Sequence, residues 1–177
     1  MGKSALELRL DLSGGTLTFD YDVIVDTNRP SDQMLVVQRL LAARAESGNS
    51  ATFRIEKAED VVHVIPNTVK DASGKLASNK SLLDTVITLP SKERTGLQTL
   101  EDLCEAISKA NQLHVVVGTI PSGMFLRHKD QHGIASLKAR DALIQLLKRT
   151  SNGAKLSWQL LYDPGLKMYA LNLHVVS

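Results

Sequence analysis

A chain of 177 residues fits one domain, or two lobes of roughly 70 to 100 residues each. Its 43% apolar and 23% charged content is ordinary for a soluble globular protein, and with only 4% aromatics the core must be built from Leu, Val, Ile and Ala. A net charge of +2 excludes a bulk electrostatic case for nucleic acid. The single cysteine excludes an internal disulfide, and no apolar run reaches the roughly 18 residues of a membrane-spanning helix.

Met1-Gly2-Lys3 leads directly into strand-like sequence without a signal peptide, compatible with a removed leader or with a native cytoplasmic start. In "ALELRLDLSGGTLTFDYDVIVD", Leu6, Leu8, Leu10 and Leu12 alternate with polar residues. Leu17, Phe19, Tyr21, Val23 and Val25 do the same. Period 2 with one wet face predicts an antiparallel hairpin, turning at Gly14-Gly15. Ser31 or Asp32 can then cap a helix over 33–46, whose apolar stripe is Val37, Leu40, Leu41 and Ala45 and whose stop is Gly48. "ATFRIEKAEDVVHVIP" reads as a second hairpin. Residues 67–81 are polar, small and aperiodic, and read as a linker.

The second half opens with a strand in "LLDTVITLP". A helix follows in "TGLQTLEDLCEAISKANQ", where Thr99 and Asp102 resemble a capping box and Leu100, Leu103, Cys104 and Ile107 share a face. "QLHVVVGTI" is nearly continuous in apolar residues, the pattern of a central buried strand. The polar stretch 121–136 reads as a loop, with room for a short strand at 124–126. The last helix spans 137–150, with Ala139, Leu143, Leu146 and Leu147 inward. Leu156, Trp158, Leu160 and Tyr162 then alternate into a turn at "DPGL", with Pro164-Gly165 as the central pair of a type II turn. Tyr169, Leu171, Leu173 and Val175 alternate out of it. Helix plus hairpin thus occurs twice. The copies align Leu40-Leu41 with Leu146-Leu147, Gly48 with Gly153, Phe53 with Trp158 and Ile55 with Leu160. A helix that lays its stripe on its own hairpin explains the repetition by packing alone.

No pattern in the chain specifies catalysis or a cofactor. His128 and His132 stand four apart around Asp130, a spacing that would put two metal ligands on one helical face. Glycine follows at once and no further ligand is identifiable, so the expected state is a solvated loop without metal. His63 and His114 at apolar strands read as structural, and His174 as half-exposed. Cys104 on an apolar stripe reads as a buried thiol. Ser122 does not sit in a G-x-S-x-G elbow, and Trp158 reads as a core anchor. Between residues 127 and 149, six basic residues (Arg127, Lys129, Lys138, Arg140, Lys148 and Arg149) face two acidic ones, Asp130 and Asp141. This is the candidate interaction surface, with Arg127, Lys129, Lys138 and Arg140 as its leading residues. A solvated helix face is the plainer reading, since no aromatics interleave for base stacking.

The order "TVITLP", "LQTLEDLCEAISKANQ", "LHVVVG", "ARDALIQLLKRT", "LSWQLLYDPGLKMYALNLHVV" resembles the secretin and TonB short N-terminal domain. The resemblance covers residues 83–176 and is one of apolar pattern. The chain as a whole also resembles bacterial proteins of this size that carry no assigned activity. The polar stretch 121–136 is longer than that compact module shows, and no secretin pore or outer-membrane barrel is recognisable. The resemblance therefore implies an extracytoplasmic, periplasmic module that binds a protein partner, with no catalytic motif and no cofactor.

The expected architecture is α+β in two lobes: residues 1–66 (hairpin, helix, hairpin), the linker 67–81, and 82–177. Each lobe would pack helices on one face of a mixed or antiparallel sheet. The expected function is non-enzymatic recognition of a protein by its surface or by pairing at a sheet edge, with strand 6–12 and the closing strand as candidate edges. The rivals are a nucleic-acid module using the basic stretch, which lacks the G-x-x-G loop a KH fold needs, and a small metal or ligand site at His128, Asp130 and His132.

Overall fold

A computed structural model describes residues 4–12, 15–23, 33–46, 52–58, 61–70, 75–78, 80–163 and 165–176. The architecture is α+β, and the chain divides into two compact units, Met1–Ser81 and Leu82–Ser177.

The first unit begins with β1 (Ser4–Leu12) and β2 (Gly15–Val23), paired antiparallel so that Leu6 stands opposite Tyr21, Leu8 opposite Phe19 and Leu10 opposite Leu17. Leu12 pairs with Gly15, so Gly15 belongs to the second strand and not to the turn expected at Gly14-Gly15. Val25, the two expected cap residues and Gly48 lie outside the described residues. The helix α1 (Gln33–Glu46) has the expected bounds. Leu40 is buried at 4% exposure, Val37 and Leu41 are half-buried, and Ala45 is exposed. It packs on β3 (Phe53–Ala58), which pairs with β4 (Val61–Pro66) in the second hairpin. Ile65 and His63 are buried there. The segment expected as a linker carries two short antiparallel strands, β5 (Thr68–Lys70) and β6 (Leu76–Ser78). Three-residue strands are too short to display a period, which is why the segment reads as a loop.

The second unit opens with a 3-10 turn at Leu82–Asp84 and β7 (Val86–Leu89). A two-residue strand β8 (Arg94–Thr95) leads into α2 (Gly96–Asn111). Then come β9 (His114–Val117), a short helix α3 (Ser122–Arg127), β10 (Lys129–Asp130) and β11 (Ile134–Lys138). The unit closes with α4 (Ala139–Thr150), β12 (Lys155–Asp163) and β13 (Met168–Val176).

The strands β12, β13 and β9 form one sheet in that order, while β11 pairs with β7 in another. The helix α2 packs on β9 of the first and β7 of the second, and against α4. Leu100, Leu103, Ile107, Leu143 and Leu146 of the two helices are fully buried, together with Leu171 from β13 and Phe125 from α3. The helices thus join both sheets into one core, where the sequence suggested helices on one sheet face only. About 0.8 kcal/mol per buried methylene makes this leucine-rich cluster the main stabilising element of the unit.

Three local expectations are corrected. The capping box of α2 is Thr95 with Gln98: Gln98 N donates to Thr95 Oγ1 at 3.2 Å and Thr95 N donates to Gln98 Oε1 at 2.8 Å. Thr99, expected as the cap, is fully buried inside the helix, and Asp102 lies beyond the first turn, where it binds Arg94. β9 is an edge strand and not a central one among the described residues: it pairs parallel to β13 alone there, Val116 is 37% exposed, and His114 is exposed. The closing strand β13, proposed as an edge, is the central strand. Asp163 pairs with Met168, and Pro164 of the expected turn lies outside the described residues. The Asp163 carboxylate accepts from Gly165 N at 2.8 Å and Leu166 N at 3.0 Å.

Candidate functional site

The stretch 121–136 is built and not an open loop. Asn172, buried in β13, accepts at Oδ1 from Thr119 N at 2.7 Å, and Leu173 N donates to Thr119 O at 2.8 Å. These bonds hold the end of β9 on the sheet before the chain enters α3. Phe125 then plugs the core beside Gly96, and Gly96 N donates to His128 O at 2.9 Å. Asp130 stands opposite Arg94, and Lys129 opposite Thr95, in the β10–β8 pair.

Asp130 is 1% exposed and acts as the hub. It accepts from Arg149 Nη2 at 3.0 Å and from His132 N at 3.0 Å. His132 Nδ1 lies 2.9 Å from Oδ1, the oxygen that also accepts from His132 N, and Thr99 Oγ1 lies 3.4 Å from Oδ2. Burial on its own raises this carboxyl. The donors on His132 and Arg149 outweigh it and push Asp130 down to about 2. Beside it, buried Arg94 donates to Asp102 Oδ2 at 2.8 Å and to His132 O at 2.9 Å. The result is a knot of ion pairs that ties α2, β10 and α4 together.

The three proposed metal ligands do not converge. His132 reaches Asp130 from the surface, its side chain 68% exposed, while His128 belongs to the wall of a separate cleft. Among the described residues no three His, Cys, Asp or Glu side chains gather into a group that could hold a metal ion. The carboxylate that would serve as ligand is already held by an arginine.

Of the four residues proposed for a basic surface, three are exposed and one is buried. Arg127 is exposed on α3, Lys129 is exposed and lies 3.9 Å from Glu93, and Lys138 is exposed just before α4. Arg140 is 6% exposed and paired with Asp84 at 3.2 Å, so it is a core ion pair and not part of a surface. A sequence cannot show this, because the partner lies 56 positions away. Cys104 is buried as expected, and burial, with Glu101 adding to it, pushes its thiol up to about 12. No described helix is long and apolar enough to cross a membrane.

The outer strand of the larger sheet in this unit is β12. Among the described residues β12 pairs with β13 alone, in unbroken register from Lys155 opposite Val176 to Asp163 opposite Met168. Residues 156–162, "LSWQLLY", carry no charge and no proline, and their side chains are all half-buried. Edge strands are ordinarily protected by charges, prolines or bulges. Here charge stands only at the two ends.

Comparison with protein-family models, with curated proteins and with solved structures finds no match to this chain.

Proposed function

We propose that this chain is a non-enzymatic protein-interaction module that receives an extended segment of a protein partner along the outer edge of β12. The observation that carries this reading is the nine-residue strand whose central seven residues carry no charge and no proline and which, among the described residues, pairs on one side only. An added strand would gain main-chain hydrogen bonds along the edge, and alternate side chains would meet either face of the sheet. Glu, Asp, Lys and Arg are absent from 156–162, so the matching segment is uncharged and rich in β-branched or aromatic residues. The notion of a bacterial envelope setting, on the periplasmic side, is supported by the resemblance of residues 83–176 to the short N-terminal module and by nothing further.

Nucleic acid fits less well, since Arg140 and Arg149 are already paired with the carboxylates of Asp84 and Asp130.

The test is a photo-crosslinking amino acid placed at Gln159 in the full chain, exposed to bacterial envelope fractions. The reading expects one partner, crosslinked through an extended segment and lost when Ser157→Lys puts a charge on the same strand. Crosslinking that is indifferent to that change, or turnover of a small molecule by the purified chain, would contradict it.

A further inference from the structure

A cleft of about 870 Å³ opens between the start of α3 and the end of α4. Its wall includes Arg127, His128, Arg149 and Thr150, with Ile120 and Met124 as an apolar side, and it contains no carboxylate residue. Three buried polar atoms on these wall residues have no hydrogen-bond partner: His128 Nε2, Arg149 Nε and Thr150 Oγ1. Thr150 as a whole is only 3% exposed. Such orphaned groups are rare in folded proteins, because a buried donor or acceptor left unpaired has lost its hydrogen bonds to water without replacement. Finding three around one concave surface separates this place from the rest of the unit. Arg149 gives one edge of its guanidinium to Asp130 and keeps Nε unused, and Arg127 is exposed with no ion pair among the described residues.

The geometry points to this cleft as a binding site for a small anionic molecule, one bearing a phosphate or carboxylate group on an apolar body. The anionic group would be taken by Arg127 and the unused edge of Arg149, with His128 and Thr150 completing its hydrogen bonds. The apolar body would lie against Ile120 and Met124. Charge-assisted bonds from a guanidinium fork are the strongest recognition a site of this composition offers. The fixed pair with Asp130 holds Arg149 in place before a ligand arrives, which lowers the ordering cost of binding. This site stands apart from the β12 edge and does not depend on what binds there.

The test is a titration of the full chain, followed by amide NMR, with inorganic phosphate and with acetate at ionic strength matched by chloride. The expected result is saturable shifts confined to the amides of Arg127, His128 and residues 150–152. Affinity should weaken about tenfold in Arg127→Gln, the loss of one charged hydrogen bond. Arg127 is exposed, so that variant keeps its spectrum elsewhere. Tighter binding of phosphate assigns a phosphorylated ligand, and tighter binding of acetate a carboxylate. Shifts that never saturate, that scatter over other surface lysines, or that persist unchanged in Arg127→Gln would overturn the assignment.

Discussion

Arg149, in the last turn of α4, donates from Nη2 to the buried Oδ2 of Asp130 at 3.0 Å. That bond ties the end of one helix to the short strand that follows another. It makes the polar stretch 121–136 part of the fold, and it fixes a residue that also lines a cleft.

Asp130 should therefore set part of the acid stability. Its carboxyl is lowered from 3.8 to about 2 in the folded chain, so it binds fewer protons folded than unfolded. The stabilisation, about 2 kcal/mol, is fully present above roughly pH 4 and is lost as pH falls through 2. Asp130→Asn should remove that pH dependence and destabilise at neutral pH by about 3 kcal/mol, since Arg149 is left without its counter-charge. Urea unfolding of both proteins between pH 2 and pH 7 checks the sign and the size.

Arg140→Met separates a core role from a surface role. Asp84, in a half-buried position, would lose the Arg140 guanidinium, and the variant should unfold about 2 kcal/mol more easily. Retention on heparin should not change, because the guanidinium does not reach the surface. A fall in retention at unchanged stability would restore Arg140 to the basic surface.

Cys104 should behave as an inert thiol. With its pKa pushed up to about 12 and its side chain in the core, almost no thiolate exists at pH 8. Labelling by a disulfide reagent should be slow in the native protein and immediate in denaturant. Fast native labelling would mean that α2 opens locally.

Gly118 is required by a close approach. A Cβ at this position would collide with the amide Oδ1 of Asn172, the atom that holds Thr119 N. Gly118→Ala should cost about 1–2 kcal/mol, the value of that hydrogen bond plus the displaced buried side chain. Thermal unfolding of the variant measures it, and an unchanged midpoint would show that the Asn172 clamp is dispensable.

The strongly periodic parts of this fold could be read from the chain. Period 2 marks β1, β2, β12 and β13, and the 3.6 period places α1 and α4 within two residues of their observed bounds. The missed pieces share a physical cause. A six-residue helix such as α3 and two-residue strands such as β8 and β10 are too short to carry a period, and tertiary bonds to Gly96, Arg94 and Asn172 hold them in place. Thr95-Gln98 and Thr99-Asp102 offer rival capping signals four residues apart, and burial of Thr99 decides between them. At the site, the residue types were visible but their partners were not. Arg140 with Asp84, and Arg149 with Asp130, are chosen by the packing of α4. Both arginines belong to the basic stretch 127–149, yet the structure takes each into its own ion pair, leaving Arg127 to the cleft.

The most direct measurement is amide hydrogen exchange across β12, free and with the partner segment captured by crosslinking. In the free chain, alternate amides of residues 156–162 should exchange rapidly while the others, bonded to β13, are protected. With the segment bound, the fast set should slow by about tenfold or more. Protection that appears elsewhere while those amides keep exchanging would contradict strand addition at this edge.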